Sequence, residues 1–266
     1  MSGEPLQRRE LTVAAVERLG AYHLLRIADS AGPEPLAGQF AMLAAAEGWG
    51  GGQDERPFLP RALSIARRQD DQTLFLLEDV GPGTARLCAL QPGERVLSLG
   101  PLGNGFTPPH DGRRPLLAGG GVGIAPLAIL QDQLPGTATA LLGFRGSSHA
   151  PGAALLRDAV IATDDGSQGH RGTVTELLAA ELESGPDAVV YACGPAGMLE
   201  SVRALCEQAG VPAQLALEAP MACGFGACHG CVVPIRGGGY SRVCVDGPVI
   251  DACRLERVDE HAGAPA

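Results

Sequence analysis

The sequence predicts a β plus α/β chain in three parts: an antiparallel β-barrel over residues 1–110, a parallel α/β nucleotide-binding domain over 111–214, and a small cysteine-rich module over 215–266. Three observations predict it. Short apolar segments broken by Gly and Pro fill the first hundred residues, as in small antiparallel barrels. From about Arg113, apolar runs alternate with helical stretches, which implies a parallel sheet. Near the end, Cys223, Cys228 and Cys231 follow a C-x4-C-x2-C spacing, with Cys244 after a gap of twelve residues.

Composition narrows the function classes. With 266 residues and 45% hydrophobic residues, the chain can bury a sizeable core. Its net charge of −10 argues against a nucleic-acid partner, because no basic stripe exists to neutralise phosphates. All 20 basic residues are arginine, which is a compositional habit and not a mechanism. The opening MSGEPLQRRELTVAAVERL has no apolar core of a secretory signal, and no run approaches the ~18 apolar residues of a membrane helix. Eight cysteines without a secretory signal point to a cytoplasmic metal or redox protein, not a disulfide framework.

In chain order, the pattern predicts barrel strands over Leu11–Leu19, Tyr22–Ala28, Gln39–Ala46, Ala62–Ala66, Thr73–Asp79 and Arg95–Leu99. The Gly-rich loop Glu47–Pro60 carries the single tryptophan, Trp49, to which the sequence assigns no role. Arg61-Ala62-Leu63-Ser64 sets a guanidinium and a hydroxyl at a strand entrance, a pair suited to phosphate and flavin oxygens. Gly81-Pro82-Gly83-Thr84 opens a short helix whose bare N–H groups suit an anion. Each feature alone has a plain alternative: a surface charge for Arg61, a simple cap for the turn.

In the middle third, the strand Pro115–Ala118 leads through Gly119-Gly120-Gly121-Val122-Gly123 into a helix over Ile124–Leu134. Such a turn lets a pyrophosphate approach backbone donors. A second strand, Thr139–Phe144, ends at Arg145, which is either a contact to a nucleotide phosphate or a solvated charge. Further elements lie over Leu155–Ala162 and Val174–Leu182. The strand Asp187–Ala192 ends in Cys193-Gly194-Pro195 before a helix over Ala196–Gln208 that closes at Gly210. Cys193 is either a buried small hydrophobe or a group beside a bound nucleotide.

For the tail, C-x4-C-x2-C is the spacing by which one segment supplies three thiolates to a plant-type [2Fe–2S] centre, with Cys244 as the fourth. Gly224, Gly226 and Gly230 are expected at positive φ, leaving N–H groups aimed at the sulfurs. Structural zinc, which favours paired C-x2-C hooks, and ordinary thiols or disulfides stand as alternatives. A hairpin is expected around Gly237–Tyr240.

The Arg61–Ser64 strand and the Gly81–Thr84 turn together resemble the flavin-binding barrel of the ferredoxin–NADP⁺ reductase superfamily, with Leu63 in place of the usual aromatic. Adding Gly119–Pro126, Cys193–Pro195, Glu218-x-x-Met221-Ala-Cys-Gly-x-Gly-Ala-Cys-x-Gly-Cys231 and Arg242-Val-Cys244-x-Asp-Gly-Pro-Val249, the chain resembles the electron-transfer subunits of class 1B dihydroorotate dehydrogenase over nearly its whole length. It departs from them at Ala219-Pro220, usually a polar pair, and in the length of the Glu47–Pro60 loop.

The resemblance implies FAD at Arg61, Ala62, Leu63, Ser64, Leu76, Leu77, Glu78, Gly83 and Thr84. It implies NAD at Gly119, Gly120, Gly121, Gly123, Cys193, Gly194 and Pro195, and a [2Fe–2S] cluster on Cys223, Cys228, Cys231 and Cys244. It further implies a partner, the FMN-containing catalytic subunit that oxidises dihydroorotate in pyrimidine biosynthesis, within a heterotetramer and with no membrane. Electrons would run from that subunit through the cluster and FAD to NAD⁺, the flavin linking one-electron to two-electron carriers. No residue here is expected to act on substrate as acid or base. Related architectures serve as NAD(P)H-linked subunits of certain hydrogenases and ferredoxin-linked transhydrogenases; a stand-alone reductase feeding an oxygenase is a second alternative, which the short cluster module disfavours, and a zinc-stabilised non-catalytic nucleotide-binding protein is the reading from another class. Neither an acidic residue for a ribose hydroxyl nor an arginine cluster for its phosphate is evident, so NAD and NADP are not distinguished.

Overall fold

The computed structural model describes residues 7–51, 56–109, 112–134, 136 and 138–258. The centre of the long loop, residues 52–55, and the expected first boundary at 110/111 lie outside the described residues.

Six strands form the first unit: β1 (Arg8–Leu19), β2 (Tyr22–Ala28), β3 (Phe40–Ala45), β4 (Arg61–Gln69), β5 (Gln72–Glu78) and β6 (Arg95–Leu102), with the helix α1 (Pro82–Cys88) between the last two. They close in the order β1-β2-β5-β4-β3-β6, all antiparallel, so no strand is left with an open edge. A bulge between Val13 and Ala15 bends β1, letting one strand of 12 residues serve two neighbours. Pro82 sits in the first turn of α1, where its missing N–H costs nothing.

The second unit begins with β7 (Arg114–Gly120), a tight turn over Gly121–Ile124, α2 (Ala125–Gln133) and β8 (Thr139–Phe144). It continues with β9 (Val160–Thr163), β10 (His170–Arg171), α3 (Val174–Ser184), β11 (Ala188–Cys193), α4 (Ala196–Ala209) and β12 (Ala213–Ala216). Gly210 takes the left-handed conformation, φ 67°, that stops α4. The sheet order is β10-β9-β8-β7-β11-β12-β15. Strand order reverses between β7 and β11, which is where a doubly wound sheet opens a crevice at its carboxyl ends.

The tail adds β13 (Val232–Pro234) and β14 (Tyr240–Arg242), the expected hairpin, and β15 (Val249–Asp251). β15 pairs antiparallel with β12, Gln214 opposite Asp251. The expected boundary between 214 and 215 therefore falls inside β12, and the cysteine module shares the second unit's sheet. Its core is shared too. Phe40, Met42 and Leu102 of the barrel pack in one cluster with Cys231, Val243 and Cys244 and with Val190 and Leu215. On the other side, α2 packs on β4, and Ile124 and Leu127 join the barrel residues Tyr22, Leu25 and Phe75 in a second core. At about 25 cal/mol per Å² of buried apolar surface, these shared cores hold the units in one arrangement. Among the described residues, no helix is long and apolar enough to cross a membrane.

Candidate functional site

A cleft of about 240 Å³ lies where all three units meet. From the barrel it takes Ala62, Leu63, Ser64, Leu76, Leu77, Glu78 and Thr84; from the second unit, Val122 and Ala125; from the tail, Leu217, Glu218, Met221 and Pro248. The three stretches expected to hold FAD thus converge although they are spread along the chain. The cleft is mainly apolar, with Ser64, Glu78, Thr84 and Glu218 as polar points, as a flat heteroaromatic ring requires.

Arg61 and Gly83 do not line this cleft. They touch each other, because a side chain on Gly83 would collide with the Arg61 guanidinium, within 2.3 Å of its Nε. Arg61 also donates to the Leu59 carbonyl at 2.6 Å and lies 5.7 Å from the centre of the Trp49 ring. Trp49, without a role in the sequence reading, is therefore the platform under Arg61. The Thr84 hydroxyl is not free for a ligand. It accepts the Val80 N–H and donates to Gly81 O, both at 3.0 Å, capping its own turn.

The second crevice lies at the strand-order reversal. Gly119 stands opposite Cys193 in the pairing of β7 with β11. Gly120, Gly121, Gly123, Gly194 and Pro195 line a cavity of about 680 Å³. One of about 370 Å³ shares Glu78, Gly120, Gly121, Arg145 and Pro195 with it and adds Phe144, Asp164, Thr173, Thr175 and Ser201. Close approach explains two of the glycines: a side chain on Gly123 would fall 2.6 Å from the Cys193 and Gly194 backbone, and one on Gly120 would fall 2.6 Å from Met198 Sδ. Gly119 and Cys193 lie beneath the crevice, not on its wall. Cys193 is 2% exposed, and burial, with help from the Glu218 carboxylate, pushes its thiol well above the ordinary value.

Two acidic residues join the clefts. Glu78 lines all three cavities, its Oε1 accepts from His149 Nε2 at 3.1 Å in the Nε2–H tautomer, and it lies 3.6 Å from Arg145 Nη1. Glu218 lines both the 240 Å³ cleft and the 680 Å³ cavity. Glu218 is exposed to solvent, yet the protein packed around its carboxyl desolvates it and holds it above the usual range. Glu218 and Asp164 were not singled out in the sequence as site residues, because cavity membership depends on sheet order. Asp164 lies just past the end of β9, on the wall of the 370 Å³ cavity.

The four cysteines come together as two pairs. Cys223 lies beside Cys228, and Cys231 beside Cys244, whose backbone N–H donates to Cys231 Sγ at 3.5 Å. Burial works against ionising Cys223, but the N–H groups of Phe225, Cys228 and Ala227 and the Cys228 thiol outweigh it and lower the group to about 6. Cys244 is pushed up to about 12, first by burial and then by its neighbour Cys231. Among the described residues, no group of three or more His, Cys, Asp or Glu is placed to hold one metal ion. Four thiols in two pairs are a donor set that fits a two-iron centre, one pair to each iron. Gly224 and Gly226 take φ of 80° and 86°, as expected. Gly230 does not; His229 carries the left-handed turn instead, φ 58°, and so delivers the Gly230 N–H to Cys228 Sγ at 3.5 Å.

Comparison with known proteins follows these three sites. Residues 218–256 match the family described as the iron-sulfur cluster binding domain of dihydroorotate dehydrogenase B. The chain is 39% identical over 216 residues to the dihydroorotate dehydrogenase B (NAD(+)) electron transfer subunit of Desulforamulus reducens, covering 77% of this chain and 82% of that one. It is 40% identical over 230 residues to the subunit of the same description from Geobacillus thermodenitrificans, covering 81% and 84%. The chain belongs to the electron-transfer subunits of dihydroorotate dehydrogenase B. It is an oxidoreductase subunit with the fold of the ferredoxin–NADP reductases, and its cofactors are FAD, a [2Fe–2S] cluster and NAD. The family serves pyrimidine biosynthesis. Among solved structures, an NADH-dependent reduced ferredoxin–NADP oxidoreductase superposes with a TM-score of 0.76 at 25% identity, covering 97% of this chain and 91% of that one.

Proposed function

We propose that the three sites hold their cofactors through the residues named from the sequence. Cys223, Cys228, Cys231 and Cys244 ligate the cluster. Ala62–Ser64, Leu76–Glu78 and Thr84 line the FAD site, with Arg61 and Gly83 behind it. Gly119–Gly121, Gly123 and Cys193–Pro195 form the floor of the NAD crevice. The units are the barrel, the α/β domain and the cysteine module, the last joined to the second unit's sheet through β12 and β15. The catalytic partner is an FMN-containing subunit that oxidises dihydroorotate, assembled with this chain as a heterotetramer in the cytoplasm.

The observation that carries this reading is the position of the FAD cleft between the other two sites. Met221, two residues before Cys223, lines it on one side, and Val122, within the glycine turn, lines it on the other. When bound, the flavin supplies the conversion between one-electron and hydride chemistry. The chain's own residues orient and enclose. Leu63, Leu76 and Leu77 exclude water from the ring face, Glu78 and Glu218 mark the junction with the dinucleotide crevice, and Gly123 allows the nucleotide turn to seat against β11.

A visible spectrum of the anaerobic protein, before and after NADH, tests the set. Flavin bands with broad longer-wavelength absorption that bleach on adding NADH support it. A colourless protein with stoichiometric zinc refutes it. The similarity to the NADH-dependent ferredoxin–NADP oxidoreductase favours a second reading, a subunit of a ferredoxin-linked complex. Co-purification with a flavin subunit that oxidises dihydroorotate decides against that one.

A further inference from the structure

One cation lies against the cysteine loop. Arg242 is in β14, two residues before Cys244. A side chain on Gly226 would meet Arg242 Nη1 at 3.3 Å, so the guanidinium lies over bare backbone between Cys223 and Cys228. The same Gly226 directs its N–H at Cys244.

Asp246 fixes the arginine. Its Oδ2 accepts from Arg242 backbone N at 2.9 Å and from Nε at 3.2 Å, and its Oδ1 accepts from Nη2 at 3.4 Å. Asp246 takes the backbone N, Nε and Nη2 of Arg242, so Nη1 is the atom left facing the cysteine loop at Gly226.

A cluster on four thiolates is an anion, and reduction adds one electron with no bond made or broken and no proton taken up. Its potential responds to net charge, hydrogen bonds and exposure. A fixed cation beside it favours the reduced form. We propose that Arg242, held over Gly226 by Asp246, is a tuning residue that raises the reduction potential of the cluster and so eases its acceptance of an electron from the reduced partner subunit. This rests on the four-cysteine ligand assignment.

The test is a dye-mediated redox titration of the full-length holoprotein, with dithionite as reductant and the electron paramagnetic resonance signal of the reduced cluster as readout. Iron and sulfide are counted for each sample. Arg242→Gln is expected to keep its iron and lower the reduced-to-oxidised ratio at fixed potential about tenfold, a shift of about −59 mV for one electron. Asp246→Asn keeps an acceptor for the backbone N–H but removes the opposing charge, and is expected to shift the potential upward. Opposite signs are the signature, because a loosened loop moves both variants the same way. An unchanged potential in Arg242→Gln with full iron, or shifts of one sign in both variants, overturns the proposal. If Arg242→Gln loses iron, Arg242→Lys decides: a potential near wild type supports a charge effect, and a large negative shift with full iron overturns it. Wild-type protein without iron and sulfide overturns the ligand assignment and this proposal with it.

Discussion

A methyl group on Gly123 is the sharpest probe of the dinucleotide crevice. In Gly123→Ala the new carbon would lie 2.6 Å from Cys193 C, Cys193 O and Gly194 N, all backbone. No side chain can rotate away. To reach ordinary contact, the turn after β7 and the end of β11 must part by roughly 0.8 Å. Misplacement of about 1 Å in a positioning element costs on the order of a hundredfold in rate. The expected loss in kcat/KM for NADH is therefore roughly ten- to a hundredfold, about 1.4–2.7 kcal/mol. Steady-state NADH oxidation with ferricyanide measures this without the partner. FAD and iron content should stay at wild type, since the barrel strands and the cysteine loop are separate elements. Gly121→Ala is the control: nothing lies within 4 Å of its added carbon, and φ is +56°, so the expected cost is backbone strain of about 1–2 kcal/mol in stability. Wild-type kcat/KM in Gly123→Ala would refute the argument that close backbone approach shapes the crevice.

Three other outcomes are expected. Cys231→Ser, at a proposed ligand that is 2% exposed, should lose the cluster's absorbance and iron while FAD stays bound; full cluster absorbance removes Cys231 from the ligand set. Asp164→Ala should lower the preference for NADH over NADPH roughly tenfold, because a carboxylate in the 370 Å³ cavity welcomes a ribose hydroxyl and repels a phosphate there; an unchanged ratio of kcat/KM values counts against that placement. Glu218 has its carboxyl held above the ordinary range by desolvation, so the fold binds that proton more tightly than the unfolded chain does. Its contribution to stability is full at acid pH and is lost as pH rises through the raised value. Glu218→Gln should flatten that part of the pH profile of urea unfolding, and an identical slope in both proteins would remove Glu218 as its source.

Local features were legible because their chemistry is carried by neighbours in sequence. The C-x4-C-x2-C loop, the Gly119–Gly123 turn and the helix stop at Gly210 need only spacing and backbone freedom. The strand Thr139–Phe144 was delimited to the residue, since a short apolar run between Gly and Pro signals has little room to slide. Reading Gly230 as a positive-φ residue failed for a physical reason. One left-handed residue suffices to turn the chain there, and His229 takes that conformation.

What the sequence by itself determined is the cofactor chemistry: thiolates for iron, bare backbone for phosphate, and the order in which the three units follow. The meeting of those units was decided only by tertiary structure. Glu78 from the barrel, Val122 from the second unit and Met221 from the tail face common cavities although they are far apart in the chain. Gln214 pairs with Asp251 to stitch the cysteine module onto the second sheet. Trp49 supports Arg61, and Arg242 covers Gly226. Such contacts depend on strand order and on which faces pack together. These are set by burying one continuous core, a sum over many distant residues that no local spacing encodes.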